Sequence, residues 1–310
     1  MMSRTVAVFS MLLACATTAH AFSARSRVVM APSLGDYRVY GVAAQVQRSL
    51  STPRAQVRAS SLVISSGITA AAAGTSLALN SALVLFALVK EQNVLTQAGL
   101  FHAWILGVVL WATLGAPGWI LGVVYLILGS AVTKIQKDKK EALGIAEGRG
   151  GRRGPENVWG SAAAGTLCAL AYCVDPSMTY KVGFVASFAT KLSDTFASEI
   201  GKAYGKTTYL ITNFKKVPPG TEGAVSLEGT LAGVVGSILI AGTGYLLNLC
   251  GPLGFALCLV AAFIATNCES VIGAVFQDKV KWLTNEVVNF INTAIGALVA
   301  MVARVVILGA

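Results

Sequence analysis

The chain has 310 residues, of which 55% are hydrophobic and 12% charged, with a formal net charge of +10. A soluble domain carries about a quarter charged residues. So sparse a charge excludes a water-soluble globule, a disordered chain, a coiled coil and a disulfide-stapled secreted scaffold, and leaves an all-α polytopic transmembrane bundle.

The positive excess lies mostly at the front. Residues 1–58 hold seven arginines, no lysine and one acid, Asp36. Arg4 precedes an apolar run from Val6 to Ala16, and Ala19 and Ala21 flank His20, the pattern of a signal peptide over residues 1–21. Residues 22–58 open with Phe22 and stay rich in Arg and Ser, as a transit peptide does. In tandem they resemble the bipartite presequence of algae with complex plastids, which predicts a multi-pass protein of a plastid (chloroplast) membrane. A signal peptide followed by a basic tail is the alternative. Residues 59–310 are then a single integral membrane domain.

Apolar segments follow at about 62–89, 94–114, 117–133, 158–174, 182–200, 229–249, 253–276 and 286–308. Several approach the roughly 20 residues that span a bilayer, which predicts about eight helices. Breakers mark the joints, among them Gly115-Ala116-Pro117-Gly118, Asp175-Pro176 and Gly251-Pro252. The connections 134–157, 201–228 and 277–285 carry most of the remaining Lys and Arg. Two spans separate each from the next, so all three lie on one membrane face, the cytoplasm-equivalent one by the positive-inside bias.

Histidine and cysteine exclude much chemistry. His102 is the only histidine beyond His20, and the five cysteines after Cys15 form no C-x-x-C. Triads built on histidine and zinc-hydrolase motifs have no residues to use.

Polar side chains in apolar helices are costly and so are functional candidates. Asp194, Ser198, Glu199 and Lys202 end the segment 182–200 at the basic face. Carboxylates there suit Mg²⁺ bridged to phosphates, with Asp194 and Glu199 as the expected ligands. The two are about 140° apart on a regular helix, so both reach one ion only if the helix loosens. The alternative is a helix end whose acids pair locally with Lys191 and Lys202.

The next loop supplies what phosphates need. Lys206, Lys215 and Lys216 carry charge; Gly220 and Gly223 free backbone N–H groups; Thr221 adds a hydroxyl. Ser226, Glu228, Gly229 and Thr230 open the next helix, and helix N-termini favour phosphate. The run Gly201-x-x-x-Gly205-Lys206-Thr207 is one spacer short of a Walker A loop. Asn157, beside Arg152 and Arg153, is a further phosphate-binding candidate. Asn267, Glu269, Ser270 and Gln277, with Asn285 and Asn289, form supporting polar stripes on the last two helices; amide stripes also simply cross-link helices.

The runs S-D-T-F-A-S-E-I-G-K from Ser193, K-K-V-P-P-G-T-E-G-A-V-S-L-E-G-T from Lys215, N-C-E-S-V-I-G-A-V-F-Q from Asn267 and L-T-N-E-V-V-N-F from Leu283 resemble the family of phytyl-phosphate kinase and transmembrane protein 19 over residues 62–310. The order of acids, loop and S-x-E-G-T is also similar, more weakly, to CTP-dependent phytol and polyprenol kinases. The resemblance implies a membrane kinase that converts phytyl phosphate, or another prenyl phosphate, to the diphosphate used for tocopherol and phylloquinone. It would use Mg²⁺ and CTP or another nucleoside triphosphate, with the lipid bilayer as its medium and no nucleic acid as partner. A transporter or channel, and a cytidylyltransferase making a CDP-lipid, are the competing expectations.

Overall fold

The computed structural model describes residues 70–90, 94–277 and 279–309, so the expected presequence lies outside the described residues. The elements in order are α1 (Ala70–Val89), α2 (Gln97–Thr133), α3 (Lys137–Ala142), a 3₁₀ turn (Gly148–Gly151), α4 (Pro155–Val174), α5 (Met178–Tyr204), β1 (Tyr209–Leu210), β2 (Ala224–Val225), α6 (Leu227–Leu246), α7 (Pro252–Ile272) and α8 (Asn285–Leu308). A π-turn, Gly273–Gln277, extends α7.

The element α2 is a hairpin of two helices. Gly115 sits within it at φ 68° and ψ −163°, a conformation glycine adopts at little cost. Pro117, lacking an N–H and locked at a helical φ, suits the first turn of the second arm. Trp111 and Trp119 stack edge to face with centroids 5.6 Å apart, and Gly122 lies against Leu110. A straight helix would hold residues 110 and 122 about 18 Å apart. The arms 97–114 and 116–133 therefore run antiparallel, and the break falls where the sequence predicts a joint. With those arms counted separately, the eight apolar segments become eight helices.

Among the described residues, five helices are long and apolar enough to cross a membrane: α2, α4, α6, α7 and α8. The helix α5 departs from them because it carries Lys181, Lys191, Asp194, Glu199 and Lys202. Yet every residue from Val182 to Thr195 is buried. The helices α2, α4, α6, α7 and α8 all pack against it, so α5 is the axis of the bundle. A helix buried on all sides can carry charge only if neighbours partner it.

Small residues bring that ring close. A Cβ on Gly229 would lie 2.6 Å from the Ala197 carbonyl oxygen, and one on Gly236 2.8 Å from that of Leu192. Glycines three to eight positions apart on α6 thus let its backbone approach that of α5, the small-residue packing typical of helices in lipid. Phe184, Phe188, Val185 and Leu192 of α5 form the apolar core with Leu121 and Tyr125 of α2 and Ala261 and Ala262 of α7.

At the polar end, Thr96, Ser226 and Thr284 each cap a helix, their side-chain oxygens accepting from the backbone N–H groups of Gly99, Gly229 and Val287. The Arg153 backbone pairs with residues 94–96: Arg153 N–H donates to the Val94 carbonyl at 2.9 Å and Thr96 N–H to the Arg153 carbonyl at 3.0 Å. The strands β1 and β2 close a short antiparallel hairpin between α5 and α6. The three polar connections converge on one cavity, which places them on one face.

Candidate functional site

The cavity has a volume of about 480 Å³ and opens at the polar face. Its walls come from the second arm of α2, from α4 to α8, and from loops 146–153 and 220–226. Its centre is a charge cluster on α5. Lys191 Nζ donates to Asp194 Oδ2 at 2.6 Å and to Asn289 Oδ1 of α8 at 2.7 Å. Asp194 and Lys191 are 8% and 7% exposed, so this pair is shielded from bulk water but faces the cavity. The carboxyl of Glu269, from α7, lies beside Asp194 and interacts electrostatically with Lys191 and Glu222. Two carboxylates and one ammonium, brought from two helices, thus share the cavity wall.

The helix α5 stays regular from Met178 to Tyr204, and this separates the two acids of the expected metal pair. Asp194 points into the cavity, whereas Glu199 is absent from its walls. Glu199 instead forms a salt bridge with Lys140 of α3, both side chains being 1% exposed. Lys140 Nζ also donates to the Thr133 carbonyl at 2.8 Å, and Lys139 Nζ to the Ala203 carbonyl at 2.6 Å. The pair ties α3 to α5, and the roughly 140° between residues 194 and 199 puts the two acids in different environments. The carboxylate that does approach Asp194 is that of Glu269.

Ser198 and Lys202 line the cavity, as do Gly220, Thr221, Gly223, Ser226, Gly229, Thr230 and Asn157. Lys206, Lys215 and Lys216 do not; all three are exposed, Lys206 in the turn between α5 and β1 and the other two in the β1–β2 loop. Glu228 sits in the first turn of α6 outside the wall, where its charge suits the helix N-terminus. Of the supporting stripes, Asn267, Glu269, Ser270, Asn285 and Asn289 line the cavity, while Gln277 lies outside it in the π-turn.

Asn157 is a structural hub. Its Oδ1 accepts from Arg149 Nη2 at 2.6 Å and from the Gly154 N–H at 3.0 Å, and its Nδ2 donates to Glu286 Oε1 at 3.4 Å. Arg149 also pairs with Glu156, and Arg153 Nη1 donates to the Tyr125 hydroxyl at 2.8 Å. Among the described residues, Arg152, Arg153 and Lys202 are cavity cations that make no salt bridge, Arg153 being held by the hydroxyl and ring of Tyr125. They are the charges available to an incoming anion. His102 takes no part in the cavity; its Nδ1 accepts from Trp159 Nε1 at 2.9 Å.

Reading the sequence missed Lys191, Tyr125, Arg149 and Glu222 as cavity residues. The signal for Lys191 was a lysine inside an apolar run, three positions before an acid; its second partner, Asn289, lies 98 residues away.

The loop over the cavity is held by backbone fit. Gly223 has φ 74°, and a Cβ there would lie 2.4 Å from the Ser270 carbonyl oxygen and from Ala274 Cβ. Among the described residues no three His, Cys, Asp or Glu side chains gather as a metal cage. Asp194 and Glu269 are a donor set of the other kind, one or two carboxylates that suit a cation completed by phosphate oxygens and water.

Residues 79–297 match the family described as integral membrane protein DUF92. The chain belongs to this family. It is 55% identical over 226 residues to an uncharacterised membrane protein of Synechocystis, covering 72% of this chain and 88% of that one. It is 50% identical over 221 residues to the chloroplastic protein VTE6 of Arabidopsis thaliana, covering 69% and 66% of the two chains. An uncharacterised membrane protein of Methanocaldococcus jannaschii is 35% identical over 219 residues, 70% of this chain and 89% of that one. No solved structure matches the chain.

Proposed function

We propose that the chain is a membrane-bound kinase that transfers a phosphoryl group from a nucleoside triphosphate to a prenyl monophosphate, phytyl phosphate in the first place, to give the diphosphate for tocopherol and phylloquinone synthesis. The observation that carries this reading is the Lys191–Asp194–Glu269 cluster in the wall of a cavity with unpaired cations at its rim. The sequence runs that resemble the phytyl-phosphate kinase family support it, as does the 50% identity to VTE6. CTP is the nucleotide suggested by the weaker kinship. That relative's chloroplastic label and the character of residues 1–58 support a plastid membrane, in an organism with complex plastids.

In this reaction an oxygen of the acceptor phosphate attacks the terminal phosphorus of the nucleotide. The new P–O bond forms as the bond to the bridging oxygen breaks, and the nucleoside diphosphate leaves. Asp194 and Glu269 would hold Mg²⁺, which when bound offsets charge on the phosphates. Lys191 fixes the orientation of Asp194 and presents positive charge to the transferring group. Arg152 and Lys202 neutralise the outer phosphates, and Ser226 and Thr230 place the N-terminus of α6 beside them. The acceptor is already an anion, so no general base is needed, and the protein's work is positioning and charge stabilisation.

The test is a reconstitution: purified protein, phytyl phosphate, Mg²⁺ and each nucleoside triphosphate, with the diphosphate followed by mass spectrometry. Absence of product with every nucleotide overturns the reading. Pyrophosphate release from CTP with a CMP-bearing lipid would identify a cytidylyltransferase instead. One observation favours a transporter: Lys191 is the middle residue of the 27-residue α5, the depth at which transporters bind their cargo. Nucleotide-independent uptake into proteoliposomes would decide for it.

A further inference from the structure

The wall of the cavity changes character with depth. Near the polar face it is cationic and rich in glycine; at the level of α5 it holds the carboxylates; at its deepest it is formed by Gly233, Val234 and Ser237 of α6 and Phe263 of α7. From the cap Ser226 to Ser237 is eleven residues, or about 16 Å down α6 at 1.5 Å per residue. That is roughly half of a hydrocarbon core of about 30 Å. Below this level the bundle is shut: Ile240, Ala241, Cys258 and Ala261 are completely buried. A ligand bound by its head at Asp194 therefore has no axial route downward.

The route that does exist is sideways. The helices α6 and α7 are joined at the far face by the short connection 247–251, where Cys250 Sγ lies 3.9 Å from the Ala241 carbonyl oxygen. At the polar end the loop into α6 rests on α7, with Gly223 against Ser270 and Ala274, yet no residue of α7 from 266 to 272 is fully buried. In the deep part of the cavity, Val234 and Phe263 line the wall and are also 38% and 50% exposed. Beside them on the outer surface lie exposed Val235, Ile238, Val260 and Ile264. The cavity lining thus runs without a polar break into the surface that faces lipid. The facing wall holds buried groups such as Tyr125, Ser161 and Asn289 and offers no such passage.

We propose that the seam between α6 and α7 is a lateral portal for the isoprenoid chain of the acceptor, with Val234 and Phe263 as its lips. The proposal rests on the prenyl-phosphate kinase reading, and it says where the chain lies. Charge complementarity selects the occupant: a phosphate drawn in by the cavity cations Lys191, Arg152 and Lys202 must be joined to a chain that stays in the bilayer. A phosphorylated lipid with one isoprenoid tail has that form, with an anionic head of small size and an apolar chain that needs no dry pocket of its own. A nucleotide has no apolar part for the seam and enters from the polar face.

The experiment uses the full chain in nanodiscs. A phytyl phosphate analogue carrying a diazirine on the chain is photolysed with the wild-type protein, and the adducts are mapped by mass spectrometry. Label on residues of α6 and α7 around Val234 and Phe263, displaced by unlabelled phytyl phosphate, is the expected result. Displaceable label confined to other helices overturns the portal. Val234→Trp narrows the lip and is expected to lower the ratio of kcat/KM for phytyl phosphate to that for dimethylallyl phosphate by about ten-fold, as pocket misfits of this kind do. An unchanged ratio in folded protein also overturns it. Displaceable label at α6 and α7 without diphosphate formation from any nucleotide upholds the portal and rejects the kinase. Product formation with label elsewhere upholds the kinase and rejects the portal.

Discussion

Asp194 and Glu199 stand five residues apart on one helix, are both nearly inaccessible, and each holds a lysine. Their settings differ in what else they meet. Asp194 shares its lysine with Asn289 and has a second carboxylate, Glu269, and an open cavity beside it. Glu199 is closed in between α5 and α3, with Lys140 on one oxygen and, among the described residues, no hydrogen-bond partner on the other. The first arrangement concentrates charge where a ligand can reach it. The second has no access and ties two elements together. Burial and ion pairing alone therefore do not distinguish a reacting group from a structural one; the difference is an adjoining space and an excess of like charge around it.

The contrast breaks most sharply by substitution. Asp194→Asn is expected to lower diphosphate formation by at least about 100-fold, the scale on which loss of one transition-state charge contact acts, while the thermal midpoint of the purified protein stays close to wild type. Glu199→Gln should do the opposite. Breaking one side of a buried pair costs about 3–5 kcal/mol, so its midpoint in a thermal-shift measurement should fall clearly, with turnover per folded molecule nearly retained. The double variant Lys140→Met with Glu199→Leu sharpens this, because replacing both charges by apolar groups is often neutral; its midpoint should recover above that of Glu199→Gln. Gly223→Ala should raise KM for the nucleotide about ten-fold, since its φ of 74° and the Ser270 carbonyl 2.4 Å from a Cβ force the loop off α7. Smallest is Lys202→Ala, a rim cation, expected to raise the nucleotide KM a few-fold with an effect that fades as salt is added.

Much of this architecture was legible in the residue order. The eight apolar segments, the break at Gly115 and the single face shared by three basic connections all follow from span length, breaker residues and charge bias. Half of the site was legible too, because Asp194, Ser198 and Lys202, with Glu269, Asn285 and Asn289, violate an apolar pattern. What stayed hidden depends on contacts between distant elements. Lys140 looks like one more cation in a basic loop, yet it is fully buried against Glu199, 59 residues later. Lys206, Lys215 and Lys216 look like phosphate ligands because they sit among glycines and hydroxyls, but all three are exposed away from the cavity lining, before and within the β1–β2 hairpin. Spacing along a helix gave the angle between residues 194 and 199; only the regularity of α5 decided what that angle meant.

The reversal at Gly115 has a wider consequence. Straightened, the 37 residues of α2 would reach about 55 Å, nearly twice the thickness of the hydrocarbon they cross. Folded back, the hairpin returns residues 94–96 to the face where Arg153 stitches onto them. The conformation of one residue therefore sets the parity of the chain. It decides on which side of the bilayer the start of α2 is anchored, and with it whether the cavity rim is sewn to the front of the bundle or left as a free edge.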